Sequence, residues 1–175
     1  MTTKRMIMIS LFAAMLAISV FIFPPIPIPV IDVNFTLQTL FVIMIGYLLS
    51  PIDAFLSVFI YVLMGAIGLP VFSGMRGGLS ILFGPTGGFI FLFPIVSFLI
   101  AYTKSKTTKV WHDLLIGFVW GILFLYLGAT LWLSFSININ YFKALITMLI
   151  FVPFDMLKIL LAYIIARRIP KQVIY

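Results

Sequence analysis

The last long apolar stretch decides how the chain is read. It runs Tyr141-Phe142-Lys143-Ala144-Leu145-Ile146-Thr147-Met148-Leu149-Ile150-Phe151-Val152-Pro153-Phe154-Asp155-Met156-Leu157-Lys158-Ile159-Leu160-Leu161-Ala162-Tyr163-Ile164-Ile165-Ala166, and Arg167-Arg168 closes it. At 1.5 Å per residue it makes about 39 Å of helix, enough to cross a hydrocarbon core of about 30 Å. Two ionisable groups sit inside it. Asp155 and Lys158 are three residues apart and share one helix face. A charge at mid-span costs about 2.5–3.5 kcal/mol on insertion scales. Such groups face the bundle interior and mark a path or a ligand site. The plainer alternative is an ion pair that only orders the bundle. Pro153 lacks an N–H and frees the carbonyl of Leu149, which predicts a bend there.

Five more apolar stretches precede this one: about Met6–Phe23, Phe35–Leu49, Ala54–Ile67, Phe89–Tyr102 and Leu114–Leu133. The first follows Lys4 and Arg5 but is long and lacks a small-residue cleavage site, so it reads as a retained helix. The second and third are short for a bilayer core. The turn Ser50-Pro51-Ile52-Asp53 stops one helix and starts the next, with Asp53 in its first turn.

Composition agrees. Of 175 residues, 64% are hydrophobic and 9% charged, against about 25% charged in a soluble domain. Mean hydropathy is +1.30. The net charge of +7 is no sign of nucleic-acid binding, because the basic residues fall where membrane topology puts them. With six spans and the N-terminus inside, Lys4, Arg5, Lys104, Lys106, Lys109, Arg167, Arg168 and Lys171 are cytoplasmic. Arg76 is outside, with Lys143 near the outer end of its span. That bias is the positive-inside pattern. The expected fold is therefore an all-α integral membrane protein. It has six transmembrane helices, both termini cytoplasmic, and one domain over residues 1–175.

Two loops then lie on the outer face. Pro24-Pro25-Ile26-Pro27-Ile28-Pro29 is extended. Gly68 to Gly88 holds seven glycines and two prolines, but also Leu69, Val71, Phe72, Leu79, Ile81, Leu82 and Phe83. A flexible linker would not carry such side chains. Irregular backbone at membrane depth persists only under protein or against a cavity. The expectation is an ordered lid over an outward-facing cavity.

Candidate ligand groups are few. Asp155 and Lys158 come first. Arg76, flanked by Gly74, Gly77 and Gly78, fits an anion clamp or a solvated loop arginine. Gln38 can donate and accept at once, which suits a ureido or amide group, or it bonds between helices. Asp32 and Asn34 are rim groups or simply solvated. Ala13 and Ala17, and Gly117 and Gly121, have the spacing that lets helices approach closely. His112 reads as a helix-start residue, not a metal ligand. No phosphate loop, catalytic triad or HExxH stands out, cysteine and glutamate are absent, and no cofactor is expected. The chain cannot hydrolyse ATP by itself.

Four motifs occur in order: Phe35-Thr36-Leu37-Gln38-Thr39-Leu40, Gly65-Ala66-Ile67-Gly68-Leu69-Pro70-Val71-Phe72, Gly84-Pro85-Thr86-Gly87-Gly88 and Asp155-Met156-Leu157-Lys158. Together they resemble the BioY family, the biotin-specific substrate-binding subunits of energy-coupling factor transporters. The resemblance implies six helices and an outward-facing biotin site with Asp155 and Lys158 as its polar pair and Arg76 in a loop placed to contact the ligand. Gln38 is the further candidate from its amide chemistry. The resemblance also implies docking through Ala13 and Ala17 onto a membrane coupling subunit, with two cytoplasmic ATPase subunits as further partners. An autonomous permease, or an assembly subunit that binds no ligand, are the other readings of the same residues.

Overall fold

The structure, a computed structural model, describes residues 2–22, 26–27, 34–104 and 109–170. The expectations for Asp32, Lys106, Lys171 and most of the proline-rich loop lie outside these residues, as does the side chain of Asn34. Helix α1 is Thr3–Ile22, α2 Gln38–Leu48, α3 Pro51–Ala66, α4 Leu79–Leu82 and α5 Gly87–Thr103. Then α6 (Val110–Phe118), a π-helical stretch Val119–Phe124 and α7 (Leu125–Ile137) run on as one helix. Last, α8 (Tyr141–Met148), a 3₁₀ turn Leu149–Phe151 and α9 (Val152–Arg168) form another. Two-residue strands β1 (Ile26–Pro27) and β2 (Asn34–Phe35) pair antiparallel between α1 and α2.

Among the described residues, three helices are long and apolar enough to cross a membrane: Thr3–Ile22, Val110–Ile137 and Tyr141–Arg168. The apolar helices α2, α3 and α5 are shorter. At 11 residues, α2 is about 16 Å long, half a bilayer core. It starts only at Gln38, and the chain before it is the extended β2 segment. Just before Pro153 the helix tightens to a 3₁₀ turn, and α9 starts with the proline in its first turn. The π stretch has no counterpart in the sequence reading.

The core is one apolar cluster in which α2, α5 and α3 are central. α3 packs on α5, α5 on α2 and α7, and α2 on α9, while α1 lies against α3. Glycines make room for neighbouring side chains. A Cβ on Gly117 would overlap the Tyr47 hydroxyl, and one on Gly121 would lie 2.8 Å from Ile43 Cδ1. That small-residue face is where the helix built from α6 and α7 meets α2.

Polar groups pin the ends. Ser50 caps α3 by accepting from Asp53 N–H, and Arg5 grips the Asp53 carboxylate with two bonds of 3.1 and 2.6 Å. Lys104 Nζ donates to the carbonyls of Gly46, Tyr47 and Leu49, which the end of α2 leaves over.

The glycine-rich segment is folded back, as its apolar residues demand. Phe72 is fully buried, with its ring against Gly65. Phe72 and Arg76 exchange two backbone bonds, and Gly78 N–H donates to Gly65 O at 2.7 Å. Trp132 Nε1 donates to Gly84 O. The burial is partial, however: Val71 and Leu82 are inside, whereas Leu69, Leu79 and Phe83 are exposed.

Candidate functional site

A cavity opens where α2, α5, α7, α9 and the glycine-rich segment meet. It is lined by Thr36, Gln38, Thr39, Ser73, Thr86, Phe89, Ile90, Phe93, Tyr126, Phe151, Asp155 and Lys158. Its empty space is about 580 Å³, open mouth included, within the range of small-molecule sites. One wall is apolar and aromatic, with Phe89 set edge-on to Tyr126 at 6.2 Å.

The floor is polar and closely paired. Asp155 sits in the first turn of α9, where the positive end of the helix dipole favours a carboxylate. Its Oδ1 accepts from Lys158 Nζ at 2.6 Å and from Thr39 Oγ1 at 3.3 Å. Its Oδ2 accepts from the Tyr126 hydroxyl. Lys158 Nζ donates further to Thr36 O at 2.6 Å and to Thr39 Oγ1 at 3.1 Å. The Thr36 carbonyl belongs to the irregular backbone before α2, so one ammonium pairs a charge and satisfies that backbone too. Both charged side chains are almost fully buried.

Gln38 is also buried in this wall. Its amide nitrogen donates to the Tyr61 hydroxyl and to Val71 O, while Tyr61 donates to the same carbonyl. Its Oε1 meets Thr36 Oγ1 at 3.4 Å. The amide thus ties the glycine-rich segment to α2 and α3, and its oxygen still has acceptor capacity.

Counting donors and acceptors gives the site its chemical sense. The three N–H groups of Lys158 and both of Gln38 are engaged. A carboxylate has about four acceptor positions, and three on Asp155 are filled by described residues. What these lining residues have left, among the described residues, is acceptor capacity: one position on Asp155, the lone pairs of Tyr126 and Gln38 Oε1. The movable hydroxyls of Thr36, Ser73 and Thr86 complete the lining.

The structure brings Asp155, Lys158 and Gln38 together. It does not bring Arg76 into the lining. Arg76 is exposed, and its Nε lies 3.4 Å from the carbonyl of Ser73, which does line the cavity. The structure places Ala13 and Ala17 on the inner side of α1. Both are buried within this chain, at 1% and 4% exposure. They face inward because α1 lays that side on the bundle. Ser10 and the half-buried Ala14 lie on the outward side with Ile7, Leu11 and Ile18. Sequence reasoning missed Thr39 and Tyr126. Thr39 lies inside one of the four motifs, whereas Tyr126 has no local signal.

Fold and site define a multi-pass helical membrane protein with a ligand-sized pocket that has apolar walls and a polar floor. The BioY family model matches residues 1–175. A probable biotin transporter BioY of Pyrococcus horikoshii is 36% identical over 170 residues, covering 97% of this chain and 98% of that one. The biotin transporter BioY of Lactococcus lactis is 36% identical over 154 residues, covering 85% and 82%. A crystal structure of the S-component for biotin from an ECF-type ABC transporter matches with a TM-score of 0.91, 33% identity and coverage of 96% and 93%. The chain belongs to the BioY family, whose members are membrane transport proteins and not enzymes.

Proposed function

We propose that the chain is the biotin-capturing S component of an energy-coupling factor transporter. The observation that carries this reading is the paired floor: a buried carboxylate fixed by Lys158, Thr39 and Tyr126, with one acceptor position left. Biotin's ureido group presents two N–H donors and one carbonyl. Asp155 takes one N–H and Gln38 Oε1 or the Tyr126 oxygen the other. Thr36 turns its hydroxyl to the carbonyl. The thiophane ring and tail lie on Phe89, Phe93 and Ile90. The carboxylate stays at the mouth with Ser73 and Thr86, and Arg76 turns toward it. The related transporters and the matching S-component support biotin as the ligand.

Six spans with both termini inside and the cavity facing out fit the charge distribution. Transport then needs a coupling subunit and two ATPases, since the chain carries no phosphate loop. The outward side of α1, with Ser10 and Ala14, is the docking face. One experiment tests both halves. Purified protein should be stabilised by biotin, by about 4 kcal/mol at 1,000 times Kd. A Ser10→Trp/Ala14→Trp variant should keep that stabilisation and lose uptake in cells that supply the partners. No stabilisation at large excess would overturn the ligand; unimpaired uptake would overturn the face.

A further inference from the structure

The buried residues of the helix built from α6, the π stretch and α7 include Gly117, Gly121, Leu125, Ala129 and Leu133. These recur every fourth residue. In a regular α-helix four residues turn about 400°, so such a stripe drifts by about 40° per step. Over these positions the drift would reach about 160°, and the later residues would leave the core. The π stretch Val119–Phe124 offsets the drift, because its wider turn holds more residues. Tyr126 follows closely after it. It is buried, lines the cavity, stands edge-on to Phe89, and donates its hydroxyl to Asp155 Oδ2.

We infer that Tyr126, aimed by the π stretch, is a further specificity-determining residue, which restricts Asp155 to a single ligand N–H. The inference rests on the cavity being the biotin site. Lys158 and Thr39 hold Oδ1, so only Oδ2 has capacity left. The Tyr126 hydroxyl takes half of it. A ligand with one N–H at that point fits. A ligand that brings more finds the second acceptor already filled. π turns frequently occur at functional sites, and this one sets the register that places a single hydroxyl.

Purified wild type and Tyr126→Phe are titrated with biotin and with 2-iminobiotin, whose imine replaces the ureido oxygen and adds N–H. Losing the hydroxyl should raise Kd for biotin about tenfold, the effect of one buried hydrogen bond. Kd for 2-iminobiotin should rise less, because the freed acceptor serves its extra N–H. The preference for biotin should narrow by about threefold or more. A packing role alone would weaken both ligands alike, and that result, or no change, would overturn the inference. Register is tested separately. Deleting Val119 should cost at least as much biotin binding as Tyr126→Phe, and an alanine inserted after Phe124 in that deletion should restore it. Full binding after the deletion would overturn the role of the π stretch. If wild type binds no biotin, the proposed function falls with it. If wild type binds and Tyr126→Phe is unaltered, only this inference falls.

Discussion

The cavity floor and the glycine-rich segment from Gly68 to Gly88 both bring polar groups to a chain made mostly of apolar residues, and they are held in opposite ways. On the floor, side chains from α2, α7 and α9 converge on one carboxylate, and the two charges are almost fully buried. In the segment, backbone carries the structure: Phe72 and Arg76 pair, Gly78 bonds to Gly65, and Phe72 is the anchor. Its one charged group, Arg76, stays exposed. A charge at membrane depth survives only with its partners in place. A charge at the surface needs none. The floor is therefore held by the chain's own side chains, whereas Arg76 is left at the surface.

The largest effect should come from breaking the floor. Lys158→Ala leaves the Asp155 carboxylate buried without its cation, at a cost of about 3–5 kcal/mol. Thermal unfolding should show that loss. Asp155→Asn keeps the shape and should still fold, but biotin binding should weaken by about a hundredfold, since the remaining donors lose a charged acceptor. Wild-type affinity in both variants would make the pair purely structural and erase the contrast between the two regions.

An intermediate effect is expected at the anchor of the segment. A Cβ on Gly65 would overlap the Phe72 ring, so Gly65→Ala displaces the ring at a cost of about 1–3 kcal/mol. Val71 moves with Phe72, and the bond from Gln38 to its carbonyl goes with it. Biotin binding should fall about tenfold, and limited proteolysis should cut the segment sooner. Unchanged protease resistance would mean that Phe72 does not hold it.

How legible this was in the sequence differs between the regions. Asp155 and Lys158 could be paired from spacing alone, because a helix fixes which residues share a face. The interruption of the helix before Pro153 followed from a missing N–H. Ordering of the glycine-rich segment followed from its apolar residues, though not which of them stay exposed. Gln38 could be singled out as a polar group in a span, but not the Tyr61 and Val71 partners that tie it down. The facing of α1 could not be read: Ala13 and Ala14 are neighbours in sequence, and composition does not tell which side meets the bundle. Tyr126 was out of reach for a similar reason, since one π stretch rotates everything that follows it.

The smallest effect should be at Arg76. An exposed ion pair contributes about 0.2–1 kcal/mol, so Arg76→Ala should weaken biotin only about two- to fivefold. Wild type should prefer biotin slightly over its amide, and the variant should lose that preference. A loss of tenfold or more would place Arg76 with the floor residues.

The most direct test is equilibrium dialysis of the purified chain, without partners, against labelled biotin, biotin amide and lipoate. Biotin should saturate one site. The amide should bind within about tenfold of it, because the carboxylate sits at the mouth. Lipoate, which has a carboxylate and no ureido N–H, should not bind. Lipoate binding as tightly as biotin, or an amide that no longer binds, would show that the floor reads the carboxylate and would contradict the account.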